Sequence, residues 1–317
     1  MQKILPTSEL NNFLDTLMKK FELIAPIKHD NVTKFEIIQN LNDIYLDSIT
    51  EVPAKNFFMP ESEELFKFKD KKIIEAKNPE KKRVIFGLRK CDLNSLKILD
   101  NVMHDSGYLE KRKNTILIGI HCKNPDDYCF CNSMKLEDYY DLFFYEFDNK
   151  YYVSVGSKKG LKIVKDLKDA KREIKIPNPK NKKALKTLDI ERHYKNKIWE
   201  SDAEKCLSCG VCTAYCPTCN CFNIEDNLNM NLNQGERIRE QASCQLKSFS
   251  RLAGNKIIRD SRLSRFKHFV FHKIVYYRKK FKRPMCVGCG RCLRVCPPKI
   301  DWVDTINMLN DSGVMKK

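Results

Sequence analysis

The clearest apolar periodicities lie in the first half of the chain. Leu10, Phe13, Leu14, Leu17, Met18 and Phe21 recur at helical spacing behind Thr7 and Ser8, either of which can cap the helix they predict. "RVIFGL" (83–88) is a short continuous apolar run, the mark of a buried strand. Asp92 then opens an amphipathic helix that turns Leu93, Leu96, Leu99, Val102 and Met103 inward. "NTILIGI" (114–120) predicts a second buried strand, so strand, helix and strand together imply a right-handed parallel crossover. "YYDLFFYEFDNKYYVSVGS" (139–157) reads as a hairpin turning at Asp148-Asn149. Residues 31–80 alternate short apolar runs with turns and fix no element.

These patterns predict an α/β domain over residues 1–157. Residues 158–200 are lysine-rich and broken by "PNPK", which suits a helical connector with its linker near 176–182. From 201 to 317 cysteine, asparagine and arginine take over, and small glycine-containing loops and helices are expected instead of strands. The expected fold class is therefore α+β: an N-terminal α/β domain, then a mainly helical, cysteine-rich domain. No run approaches the roughly 18 apolar residues of a membrane span. The first residues carry acids and no small-residue cleavage site, so no export signal is expected.

Fifteen cysteines in such a chain point to metal thiolates in a reducing, cytoplasmic compartment and away from disulfides. Eight of them fall in two copies of C-x2-C-x2-C-x3-C-P. "CLSCGVCTAYCP" supplies Cys206, Cys209, Cys212 and Cys216; "CVGCGRCLRVCP" supplies Cys286, Cys289, Cys292 and Cys296. Two-residue gaps let one loop curl three sulfurs onto the corners of a cuboidal cluster, while the fourth cysteine ligates the partner cluster. One [4Fe-4S] cluster is thus expected on Cys206, Cys209, Cys212 and Cys296, and another on Cys286, Cys289, Cys292 and Cys216. Structural zinc is the bland alternative, but it has no use for a third equally spaced cysteine followed by C-P, twice. The long separation of the motifs requires an insertion over 217–285, expected to be helical.

Seven cysteines remain. Cys91 and Cys122 each follow a predicted parallel strand, where α/β folds place ligands, and "CKNPDDYCFC" adds Cys129 and Cys131. These four could share a further cluster, or Cys91 and Cys122 could be small core residues. Cys219, Cys221 and Cys244 are one short of a full site. They could hold another cluster with a non-cysteine fourth ligand, or pack near the first cluster.

The net charge of +18 raises the question of nucleic acid. The lysines are dispersed, however, and each oxidised four-thiolate cluster would add about −2, so a basic nucleic-acid-binding iron–sulfur protein is a remote alternative. Residues 251–283 are the exception, with many Lys and Arg against the single acid Asp260. That stretch suits a solvated helix face, an acidic partner or a phosphorylated cofactor. No G-x-G-x-x-G follows a strand, so no flavin or NAD site is visible, and no nucleophile–base pair stands out. The pattern is that of an electron carrier, with no catalytic residue assigned.

"RKCDLNSL", "CFCNSM", "CGVCTAYCPTCNCF", "GERIREQASC", "FSRLAG", "HKIVYY" and "CVGCGRC" occur in this order over 89–296. This set resembles the family typified by the iron–sulfur subunit of anaerobic sulfite reductase and the beta subunit of cytosolic sulfhydrogenases. The resemblance implies an electron relay from one partner subunit to another. One partner would be a reductase subunit that binds flavin and NAD(P); the other would be a catalytic subunit carrying sirohaem or nickel–iron. The sulfite reductase protein comes first on these motifs, with the hydrogenase protein as the alternative. The chain departs from the family at "KLEDYYD" (135–141), "QAS" (241–243) and "AGNK" (253–256), which bears on the complex it joins and not on the two clusters.

Overall fold

Residues 83–88 and 115–120 pair in parallel, Val84 opposite Ile116 and Ile85 opposite Leu117, as their apolar runs predict. They belong to the first of two units in the computed structural model, which describes residues 1–70, 72–75, 82–230 and 233–314. In chain order the strands are β1 (Gln2–Pro6), β2 (Glu22–His29), β3 (Val32–Ile37), β4 (Ser62–Lys69), β5 (Lys72–Glu75) and β6 (Arg83–Leu88). There follow β7 (Thr115–Ile120), β8 (Leu142–Phe147), β9 (Lys150–Val155), β10 (Lys168–Asp169), β11 (Phe222–Leu228) and β12 (Gln234–Gln241).

The first unit takes in 1–54, 79–127 and 135–181. Its eight-stranded sheet runs β10-β1-β9-β8-β7-β6-β2-β3, parallel from β2 through β8 and antiparallel at both flanks. Val84, Phe86, Ile118, Leu142 and Phe144 form its core with Leu14 and Leu17 of the first helix. That core is continuous because parallel strands are covered on both faces. The helix Lys90–Asp100 starts where the Asp92 carboxylate accepts from the Arg89 backbone N–H at 3.0 Å. Asp148 and Asn149, with φ of 52° and 53°, make the two-residue turn between β8 and β9, as a primed hairpin turn requires. The stretch 158–200 is helical at Lys158–Ile163 and Ile198–Lys205, with irregular chain around its two prolines.

The second unit gathers 55–78, 128–134 and 182–317. It holds an antiparallel sheet of order β11-β12-β4-β5, so the region between the motifs carries a hairpin as well as helices. β11 is exposed along its whole length. Phe222, Ile224 and Leu228 alternate with Asn223, Glu225 and Asn227, but Asp226 interrupts the apolar face, and backbone pairing to β12 defines the strand. Arg239 of β12 pairs with Glu63 of β4, both side chains largely buried. The helix Arg262–Phe271 continues through a π-helical turn, His272–Tyr276, into Tyr277–Phe281. Phe266, Phe269, Val270, Phe271, Ile274 and Val275 are its buried face. Among the described residues no helix is long and apolar enough to cross a membrane.

Candidate metal centre

The two cysteine motifs fold alike. In the first, the backbone N–H of Ser208 donates to Cys206 Sγ at 3.4 Å; in the second, Gly288 donates to Cys286 Sγ at 3.3 Å. Ser208 (φ 53°) and Gly210 (φ 81°) match Gly288 (φ 66°) and Gly290 (φ 74°) in left-handed backbone. A one-turn helix then starts in each copy, at Val211–Ala214 and at Arg291–Arg294. Such turns draw successive cysteines around one point, and the N–H groups aimed at sulfur favour the thiolate.

Serine is admitted at 208 but not at 288, and packing explains the difference. A β-carbon on Gly288 would come within 2.7 Å of backbone atoms of Phe130 and Cys131. The segment 128–134 lies against this loop, with Phe130 N–H donating to Gly288 O at 2.8 Å and Cys129 Sγ bonded to Cys289 O at 3.5 Å. Ser208 instead accepts from Arg265 through its hydroxyl at 3.2 Å. Gly254 (φ 69°) has nothing within 4 Å of its added β-carbon. Gly254→Ala is therefore expected to cost only backbone strain, about 1 kcal/mol. Gly288→Ala should cost more, about 3 kcal/mol, because backbone must also move. Denaturant melts of both variants check this, and equal losses would remove the packing argument.

Burial pushes Cys292 upward, and the charges of Cys216, Cys286 and Cys289 add to that. Cys296 is raised by burial and then by Cys206 and Cys209. Burial also pushes Cys212 and Cys286 up to about 12. Bare thiols here would stay protonated, and a metal must displace those protons. Among the described residues no three His, Cys, Asp or Glu side chains form the shell of a single ion.

The basic stretch 251–283 does not all face solvent. Arg265 is buried and donates to Gln245 O at 2.9 Å and Arg259 O at 3.1 Å, bracing the turn that carries Cys244. Arg262 donates to the carbonyls of Glu204 and Cys206 at 3.1 Å each. Lys273, 2% exposed, reaches Cys216 Sγ at 3.0 Å, Cys219 Sγ at 3.2 Å and Thr218 Oγ1 at 3.3 Å. Burial works to lower its pKa, but Cys216, Cys219 and Cys286 outweigh it and hold the ammonium well above the ordinary lysine range. Lys55, 3% exposed, donates to Cys219 O and Thr213 O, and burial lowers its pKa.

Cys219 and Cys244 are buried and Cys221 half-buried in the same unit. Of the remaining thiols, Cys91 (buried) and Cys122 lie in the first unit, while Cys129 (buried) and Cys131 lie in the second. His268 and His272 stack with ring centroids 5.5 Å apart, and burial pushes both down to about 4, which fits neutral packing residues. Lys55, Lys273 and Arg265 are the site residues that sequence reading missed. The visible signal was for Lys273 alone, an isolated cation inside the apolar run 269–275.

A 4Fe-4S dicluster domain family matches residues 205–300. The beta subunit of sulfhydrogenase 2 from Pyrococcus furiosus is 32% identical over 328 aligned residues, covering 94% of this chain and 95% of the relative. No solved structure matches the chain.

Proposed function

The chain belongs to the sulfhydrogenase beta-subunit family, and on that premise we propose that it is the electron-transfer iron–sulfur subunit of a multi-subunit oxidoreductase. The motifs alone put the anaerobic sulfite reductase protein first; the family match favours the alternative, the beta subunit of a hydrogenase. Its electron partners are then a reductase subunit that binds flavin and NAD(P), together with a nickel–iron catalytic subunit, in the cytoplasm.

Two [4Fe-4S] clusters, when bound, supply one-electron carriers. Cys206, Cys209, Cys212 and Cys296 would hold one, and Cys286, Cys289, Cys292 and Cys216 the other. The observation that carries this assignment is that Lys273 joins Cys216 to the second motif: its Nζ lies 3.0 Å from Cys216 Sγ, and its carbonyl accepts from the N–H of Met285, next to Cys286, at 2.8 Å. The donor set fits the group: paired left-handed loops gather the sulfurs, and the buried Lys273 ammonium stands 3.0 Å from Cys216 Sγ. Such an ammonium is stable only beside an anion, which a metal-bound thiolate provides.

Protein purified without oxygen is expected to absorb broadly near 400 nm, bleach on reduction and carry about eight irons or more. Zinc in place of iron and sulfide would overturn the reading.

A further inference from the structure

Three cysteines outside the ferredoxin motifs are drawn together by the hairpin of β11 and β12. Phe222 pairs with Gln241 at its base, and Ala242 N–H donates to Cys221 O at 2.9 Å. The chain on either side of the hairpin, 219–221 and 242–244, is thereby set side by side. Thr213 of the first motif fastens the return turn through Ser243 Oγ at 2.8 Å. Cys219 and Cys244 are buried there and Cys221 is half-buried.

Two buried lysines converge on this group. Lys273 donates to Cys219 Sγ at 3.2 Å, and Lys55 donates to Cys219 O at 3.2 Å. Cys216 is already committed to the second motif's site. Packing alone gives no reason to bury two lysines beside three further neutral thiols, since each amine loses its hydration. Thiolates remove the difficulty, and a thiol in a protein interior becomes a thiolate when a metal takes the place of its proton.

We propose that Cys219, Cys221 and Cys244 ligate a further iron–sulfur cluster, with Lys55 and Lys273 offsetting the charge of its three thiolates. Each thiol gives up its proton as its sulfur bonds iron. Three cysteines suit a three-iron core, or a four-iron core whose last iron takes a small oxygen or sulfur ligand. The site rests on the reading of the chain as an iron–sulfur electron carrier, and it adds a centre next to the one that Cys216 joins.

The test is anaerobic reconstitution of the full chain with a mixture of ferric and ferrous iron and sulfide, beside the double variant Cys221→Ala, Cys244→Ala. The variant should hold about three to four fewer irons per chain while the EPR signals of the two motif clusters persist. Equal iron in both proteins overturns the site. Should the variant misfold, the Mössbauer spectrum of the unsubstituted chain decides. A three-iron component or a unique iron site is expected there, and all-cysteine four-iron spectra alone overturn the proposal. A chain that takes up no iron at all overturns the reading beneath it, whereas about eight motif-bound irons and nothing more overturns this site alone.

Discussion

Cys216→Ala is expected to abolish the cluster of the second motif and to leave that of the first, although Cys216 lies in the first. Cys216 lies two residues past the short helix Val211–Ala214, and its buried sulfur is among those that raise Cys292. The Cys219 thiol donates to it, and that bond and the Lys273 charge hold it well below the usual thiol range despite burial. Its removal leaves the second site with three thiolates and a buried ammonium without its anion, the costlier half of a broken ion pair. The mirror variant Cys296→Ala should cost the cluster of Cys206, Cys209 and Cys212 instead. Cys296 is less enclosed, and the backbone N–H groups of Ile300 and Lys299 also favour its thiolate. Iron counts falling by about four, with EPR identifying which signal disappears, check both variants. Loss confined to the Cys206–Cys212 cluster in Cys216→Ala would refute the crossed ligation.

What could be read from the sequence was local. The two C-x2-C-x2-C-x3-C-P loops carry their geometry in four consecutive turns, and their left-handed positions are glycine in three cases of four. The strands 83–88 and 115–120 and the turn at Asp148-Asn149 likewise declare themselves within a few residues. Long-range placement was not legible. β12 is almost wholly polar and the apolar face of β11 is broken by Asp226; they are strands because β12 pairs with β11 and with β4, whose sequence lies far upstream. Segment 128–134 joins the second unit through backbone bonds to Gly288, which leave no pattern in side-chain polarity. Lys273 and Arg265 sat within a run that counts as surface charge, and only tertiary packing turned them inward. The motifs put the sulfite reductase protein first, and the match along nearly the whole chain favours the sulfhydrogenase alternative.

Lys273→Met is expected to lower the midpoint potential of the cluster that Cys216 joins, leaving the first motif's cluster less affected. Lys273 sits in the π-helical turn His272–Tyr276, where an extra residue re-aims a side chain without ending the helix. Its ammonium bonds Cys216 Sγ and Cys219 Sγ at once and lies 5.2 Å from the Phe269 ring centre. Methionine keeps much of the volume and removes the charge. A positive charge stabilises the reduced, more negative core over the oxidised one. At about 6 Å and an effective dielectric constant of about 20 this is worth about 3 kcal/mol, on the order of 100 mV for a one-electron couple. Because the shift comes from charge, Lys273→Arg should restore much of it where the longer guanidinium can be housed, and high salt should change it little. EPR-monitored redox titration of the anaerobic protein measures both potentials in one sample. A potential unchanged in Lys273→Met, with iron content retained, would mean that the ammonium serves packing and not the cluster. Since the lysine touches Cys219 as well, a component on Cys219, Cys221 and Cys244 should move in the same direction. A shift confined to the Cys216 cluster would mean that the charge acts through that sulfur alone.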